Sequence, residues 1–169
     1  ITLADADGDT ASSSLTFTVA NNDLPVSPQG DTNTAKEAGP AVSGNVLTND
    51  NIPDGGGSVV SVSNAGGGNI PLGTQFTTAN GGKLTINANG SYTYTPPPQG
   101  SVPTAGLSES FTYTVRDADG DTNQAVLNIL VTDNDLTPTA TPDTRTVAEG
   151  GAAVTGNVRT NDVFPDGVG

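Results

Sequence analysis

The feature that most constrains this chain is that it aligns with itself. Residues 1–57 match residues 113–169 without a gap, at an offset of 112 (Asp117 minus Asp5), and about half of the aligned positions are identical. DADGDT at 5–10 returns at 117–122, NDL at 22–24 as 134–136, GNV at 44–46 as 156–158, TND at 48–50 as 160–162, and PDG at 53–55 as 165–167. A self-match of this length marks a tandem array. The period is too long for one coil of a solenoid and suits one whole domain per repeat. The Pro/Asp/Thr-rich stretches near 22–34 and 134–146 read as linkers. The expected division is one complete repeat over 24–135, the C-terminal part of a preceding repeat over 1–23, and the N-terminal part of a following one over 136–169. The two end pieces lack any counterpart of 58–112, so neither is expected to complete a domain.

The periodicity inside the repeat is that of strands. Phe111, Tyr113 and Val115 alternate with polar residues, as do Leu127, Ile129 and Val131, and no helical pattern competes. Leu84 and Ile86 are separated from Tyr92 and Tyr94 by NANG at 87–90. A two-residue Asn89-Gly90 loop would put the tyrosines on the face opposite Ile86. A three-residue loop over 88–90, with Gly90 in the left-handed region, pairs Ile86 with Tyr92 and Leu84 with Tyr94, and is the expectation here. Further strands are expected at 41–48 and 58–63. About seven short strands in one repeat imply an all-β, immunoglobulin-like β-sandwich.

Composition narrows the chemistry. Leu, Ile, Val and Phe total 35 of 169 residues, and Gly and Pro a further 34, so the core is thin. The strand pattern and the repeat are what argue for folding rather than disorder. Acidic residues number 18 against 5 basic, a formal net charge of −13. That balance disfavours nucleic acid and anionic membranes as partners, and no apolar run is long enough for insertion. With no Cys or His, the chain has no thiol nucleophile, no Ser-His-Asp triad, and no ordinary zinc, copper or haem ligands. Oxygen donors remain, and they suit Ca2+.

Several segments carry a family resemblance: GNVLTND (44–50), KLTINANGSYTYTP (83–96) and SFTYTVRDADGDTNQAVLNILVTD (110–133). They resemble bacterial Ig-like, cadherin-like and VCBS-type repeats, which build the extender regions of RTX adhesins. The resemblance spans essentially the whole chain and implies a cadherin-like sandwich in a tandem array. This chain departs from the pattern after Asn49-Asp50, where related repeats often continue with an acidic run. Here the sequence is NIPDGGG (51–57), with Asp54 alone.

The carboxylates recur with the repeat. Asp117, Asp119 and Asp121 stand at i, i+2 and i+4 around Gly120, a spacing that lets one loop wrap a hard cation. It is equally the composition of a solvated hairpin turn. In an Ig-like sandwich the 116–123 and 49–57 loops share the N-terminal pole, where the preceding repeat arrives at Asp23. Six carboxylates are therefore expected to converge there: Asp23, Asp50, Asp54, Asp117, Asp119 and Asp121. Lys36 and Arg116 are the nearby cations expected. Divalent metal would relieve the repulsion. The equivalent C-terminal junction would use Asp133 and Asp135, then Asp162 and Asp166. TDNDLTP (132–138) resembles the cadherin linker motif that holds calcium between domains. Glu37 and Glu149 resemble the cadherin first-strand glutamate, although a plain exposed glutamate fits as well. Asp5, Asp7 and Asp9 repeat the loop in the preceding unit.

The expected function is non-enzymatic: a structural extender of a large bacterial surface adhesin, stiffened by calcium between repeats. Its partners would be neighbouring repeats of the same chain, with cell-surface or matrix ligands reached through other domains, and its location extracellular. Two alternatives stay open. One is a ligand-binding module for carbohydrate, ice or a partner protein, using Thr-rich faces at 74–78 and 93–95. The other is a subunit of an extracellular filament or biofilm matrix. A two-carboxylate glycosidase is disfavoured because the acids lie in loops and linkers, and Trp platforms are absent.

Overall fold

The computed structural model describes residues 1–20 and 23–166. In chain order its strands are β1 (Thr2–Ala4), β2 (Thr10–Ser12), β3 (Asp31–Lys36), β4 (Val42–Asn45), β5 (Ser58–Asn64), β6 (Phe76–Thr77), β7 (Lys83–Ile86), β8 (Ser91–Thr95), β9 (Leu107–Arg116) and β10 (Thr122–Thr132). One sheet has the order β3-β10-β9-β5 and the second β4-β8-β7-β6, while β1 and β2 form a separate hairpin. The inner faces of the two larger sheets meet in one apolar core. The fold is all-β, a two-sheet sandwich, as the strand periodicity implied.

The longest pairing is β9 with β10, antiparallel from Arg116↔Thr122 to Leu107↔Val131. Alternation sends Phe111, Tyr113 and Val115 inward from β9, and Leu127, Ile129 and Val131 inward from β10. The opposing sheet supplies Leu84, Ile86, Tyr92 and Tyr94, all buried. The β7–β8 hairpin has the three-residue loop: Ile86 pairs with Tyr92 and Leu84 with Tyr94, and Gly90 has φ +82°. The register slips between Val59 and Ser61 on β5. That bulge lets Val59 and Val62, an odd number of residues apart, both face the core.

The stretch 22–34 is not a free linker. Val26 is buried, Asp31 begins β3, and β3 runs parallel to β10 from Asp31↔Leu127 to Lys36↔Thr132. This pairing also puts Lys36 at the end of the sandwich where β10 finishes. Lys36 therefore cannot serve the 116–123 loop, which lies at the other end, where β10 starts.

The flanking pieces repeat local structure without completing it. In the β1–β2 hairpin, Asp5 N donates to Asp9 O, as Asp117 N does to Asp121 O. Over 13–20 no strand follows β2. Leu15, Phe17 and Val19 are exposed, whereas their equivalents Leu127, Ile129 and Val131 are fully buried. Over 136–166 the bridge Thr139↔Val163 reproduces Ser27↔Asn51, and Thr160 Oγ1 donates to Asn157 O as Thr48 Oγ1 does to Asn45 O.

One close approach depends on glycine. Gly44 sits opposite Tyr92 on β8, and the Tyr92 ring lies over it to receive a 2.8 Å hydrogen bond from Asn33 Nδ2 at its hydroxyl. A Cβ on Gly44 would lie 2.6 Å from that hydroxyl oxygen. Gly44→Ala should therefore destabilise the domain by about 1–3 kcal/mol through overpacking. It should appear as a lower urea midpoint with an unchanged slope.

Candidate metal centre

At the N-terminal pole the β9–β10 connection turns within five residues, Asp117 to Asp121. Asp117 shapes the turn: its Oδ1 accepts from Gly120 N at 3.0 Å and from Asp121 N at 2.8 Å. Gly120 has φ +114°, a conformation that L side chains rarely adopt. Asp117 is only 5% exposed, and its Oδ2 is buried with no hydrogen-bond partner. The 52–57 loop is pinned against this turn by Ala118 N donating to Gly55 O at 3.0 Å. Gly56 lies so close that a Cβ there would meet the Ala118 methyl at 2.9 Å. The incoming chain is tied to the same loop by Leu24 N, which donates to Asp54 Oδ2 at 2.9 Å.

These three connections bring together Asp23, Asp54 and Asp119, one oxygen from each lying within 4.8 Å of the others. The titration shifts show how tightly the acids crowd. The hydrogen bond shared with Asp117 pushes Asp119 up to about 6, with burial and the nearby Asp23 adding to it. Asp121 is also raised, first by the charge on Asp23, then by burial, Asp117 and Asp54. Burial pulls Asp117 upward too. Its hydrogen bonds with Asp119 and with the Gly120 and Asp121 amides outweigh that and leave it lowered. Five of the six carboxylates expected at this pole thus interact.

Asp50 is the exception. Its Oδ1 accepts from Gln29 N at 2.8 Å, and its charge falls on Asp31, whose carboxylate takes the Tyr113 hydroxyl at 2.8 Å. Asp162 does the same local job, accepting from Thr141 N at 2.8 Å. Both aspartates anchor the entry of the first strand rather than joining the acidic group of their junction.

At the C-terminal pole Glu37, Asp133, Asp135 and Asp166 approach one another. Burial raises Asp133 first, followed by the charges of Glu37, Asp166 and Asp135. Asp166 Oδ2 accepts from Leu136 N at 2.8 Å, the same bond that Asp54 makes to Leu24. Its Oδ1 accepts from Gln99 Nε2, which also donates to Asn134 O. Glu37 is no exposed glutamate: at 1% exposure it is buried, and its Oε1 accepts the amides of Ser101 and Val102. The turn after it forces Ala38 to φ +52°, where the next repeat has Gly150. Glu149 is exposed. Asp5, Asp7 and Asp9 also approach within 4.8 Å, but their turn stands exposed with no second loop packed on it.

The 112-residue offset makes Asp23 equivalent to Asp135 and Asp54 equivalent to Asp166. The two poles are therefore complementary halves of one kind of junction. The upstream half is Glu37, Asp133 and Asp135, and the downstream half is Asp54 with the 117–121 loop. Every charged donor is a carboxylate oxygen, which suits a hard divalent cation and excludes thiolate or imidazole ligation. The unpartnered Asp117 Oδ2 is the kind of buried acceptor a cation would satisfy.

A family model for the bacterial cadherin-like domain matches residues 22–133. The chain belongs to that family. Bacterial cadherin-like domains are adhesion-type or structural repeats without enzymatic activity, typically extracellular or surface-exposed, and they generally bind calcium. No curated protein matches the sequence. Among solved structures, the chain is similar to a nucleoside hydrolase-related hypothetical protein from Saccharophagus degradans that is associated with carbohydrate metabolism. The identity is 15%, the TM-score 0.38, and the match covers 66% of this chain and 26% of that one. At that level the likeness carries no statement about chemistry. Among the described residues no helix is long and apolar enough to cross a membrane.

The crowding at the N-terminal pole sets a pH dependence for the metal-free domain. A carboxyl raised from 3.8 to about 6 binds its proton more tightly when folded. Stability should therefore fall as pH rises through that interval and level off above it. The lowered Asp117 acts in the opposite sense, and only below about pH 3.8. Urea midpoints measured in chelator should decline across this window, and Asp119→Asn should flatten the decline.

Proposed function

We propose that this bacterial cadherin-like repeat is a calcium-stiffened spacer. Ca2+ is held between successive repeats by Asp23, Asp54, Asp117, Asp119 and Asp121 at one pole, and by Glu37, Asp133, Asp135 and Asp166 at the other. Asp50 and Asp162 support the junction by anchoring the strand that follows it. The observation that carries the reading is the Asp117 carboxylate, buried with Oδ2 unpartnered beside Asp119, where Asp23 and Asp54 also converge.

The ion would supply the positive charge that offsets the gathered carboxylates, and the residues do the rest. Asp117 fixes the turn so that Asp119 and Asp121 project toward the incoming chain. Asp54, tied to Leu24 N, holds the linker against that turn. Asp23 ends the preceding repeat, so a cation shared by Asp23, Asp54 and Asp119 crosslinks two domains. Flexion about the linker would then require breaking carboxylate–cation contacts. A tandem array built this way becomes an extended rod, which suits an extender segment of a large adhesin on a bacterial surface.

Extracellular calcium modules bind with Kd of about 10⁻⁴ to 10⁻³ M. A tenfold excess over Kd stabilises the folded state by about 1.4 kcal/mol per site. Calorimetric titration of the chain with Ca2+ should give saturable heat in that range, lost on combining Asp54→Asn with Asp119→Asn. X-ray scattering of a multi-repeat chain should show a larger radius of gyration and a rod-like profile in calcium, with both lost in chelator. Scattering curves identical in the two conditions would exclude the stiffening role even if calcium binds.

A further inference from the structure

The two sheets leave one side of the sandwich open. β5 and β6 are the edge strands on that side, and β6 is only two residues long. The interior opens there into a cavity of about 340 Å³, lined by Asn64, Phe76, Thr78, Asn80, Glu109 and Phe111 among others. It belongs to neither acidic pole.

Glu109 is the unusual member. It lies on the inward face of β9, two residues before Phe111, and is 6% exposed. Its Oε2 accepts from the Tyr94 hydroxyl at 2.7 Å and its Oε1 from Asn80 Nδ2 at 3.0 Å. Both donors are neutral. A carboxylate has about four acceptor positions, so two are unused, and among the described residues no ion pair reaches it. Thr78 Oγ1, also in the cavity lining, is buried without a partner. A carboxylate serving only to bridge the sheets through Tyr94 would need no cavity next to it. An inward β9 position facing a closed core would be filled by an apolar side chain, as it is at Phe111.

We propose that this cavity binds a primary alkylammonium group. The ammonium meets the free acceptor positions of Glu109 together with Thr78 Oγ1, and its methylene stem packs between Phe76 and Phe111. Aromatic faces favour a cation in this position. An ammonium is a compact point charge with three donors of adjustable direction. The group can come from a free amine or from a lysine side chain of a partner protein.

The test is amide NMR on the full chain at physiological ionic strength, which screens attraction to the exposed acidic poles. The probes are n-butylammonium, its neutral counterpart n-butanol, and a capped Gly-Lys-Gly peptide. Saturable shifts at Phe76, Thr78 and Ser108 in the millimolar range are expected for at least one of the two ammonium probes. Tighter binding of the peptide assigns the group to a partner protein, and tighter binding of the free amine to a small molecule. Glu109→Gln, which keeps an acceptor for Tyr94, should weaken binding roughly tenfold or more. Phe76→Ala, at the half-buried rim, should weaken it while leaving the Glu109–Tyr94 contact in place. Equal shifts with n-butanol, shifts indifferent to both substitutions, or no shifts at these amides with either ammonium probe would overturn the proposal.

Discussion

The β9–β10 hairpin carries both the core and the chemistry. Its ten paired positions put Phe111, Tyr113 and Val115 beside Leu127, Ile129 and Val131 on one buried face. Its tip is the Asp117–Asp121 turn, and its far end delivers Asp133 to the other pole. A domain with so few large apolar residues has little freedom to move this hairpin, because most of its core would move with it. The acidic turn is therefore set on the most rigid element available. That rigidity is what a cation site requires, since loosely held carboxylates would simply swing apart.

The contacts that build each junction are local. Leu24 with Asp54, Gln29 with Asp50 and Thr48 with Asn45 recur as Leu136 with Asp166, Thr141 with Asp162 and Thr160 with Asn157. The second set forms in a segment that has no sandwich around it. Short polar side chains bonding nearby amides explain this, since such turns need no tertiary partner. Burial of Leu15, Phe17 and Val19 fails for the opposite reason: those residues need strands from elsewhere in their repeat. The polar joints are thus encoded within the linker region, while the apolar closure depends on a whole repeat.

This division also explains what the sequence revealed. Period-two alternation located β9 and β10, and the Asn-Gly loop set the β7–β8 register, because both signals are local. The acidic turn was visible from its spacing, and its meeting with Asp54 and Asp23 from strand topology. Asp50 accepts the Gln29 amide, and chain proximity to Asp54 says nothing about which amide a carboxylate caps. Lys36 lies at the opposite pole from the one expected and 31–34 is strand rather than linker, because a parallel edge strand rich in Asp, Thr and Asn has no apolar alternation to mark it. Glu37 is open to either role in the sequence, and only the folding of 99–102 over it decides for burial. Glu109 shares the inward parity of Phe111 and Tyr113. A charged residue in an otherwise apolar period-two set was the available signal.

Two arrangements of carboxylates therefore coexist in this domain. Tyr113 and Tyr94 reach across the core to half-buried Asp31 and buried Glu109 respectively, and burial raises both phenols well above their ordinary range, with the neighbouring carboxylates adding to it. Each phenol stays protonated and serves its acid as a neutral donor. At the poles the donors are amides rather than phenols, and the acids also face one another. Asp119 can relieve the repulsion by keeping a proton, as its raised titration implies, or by sharing a cation. The proton serves a single domain, whereas a cation shared by Asp23 and Asp54, as proposed, would also join one repeat to the next. Above about pH 6, where Asp119 gives up its proton, relief of the repulsion at this pole would pass from the proton to such a cation.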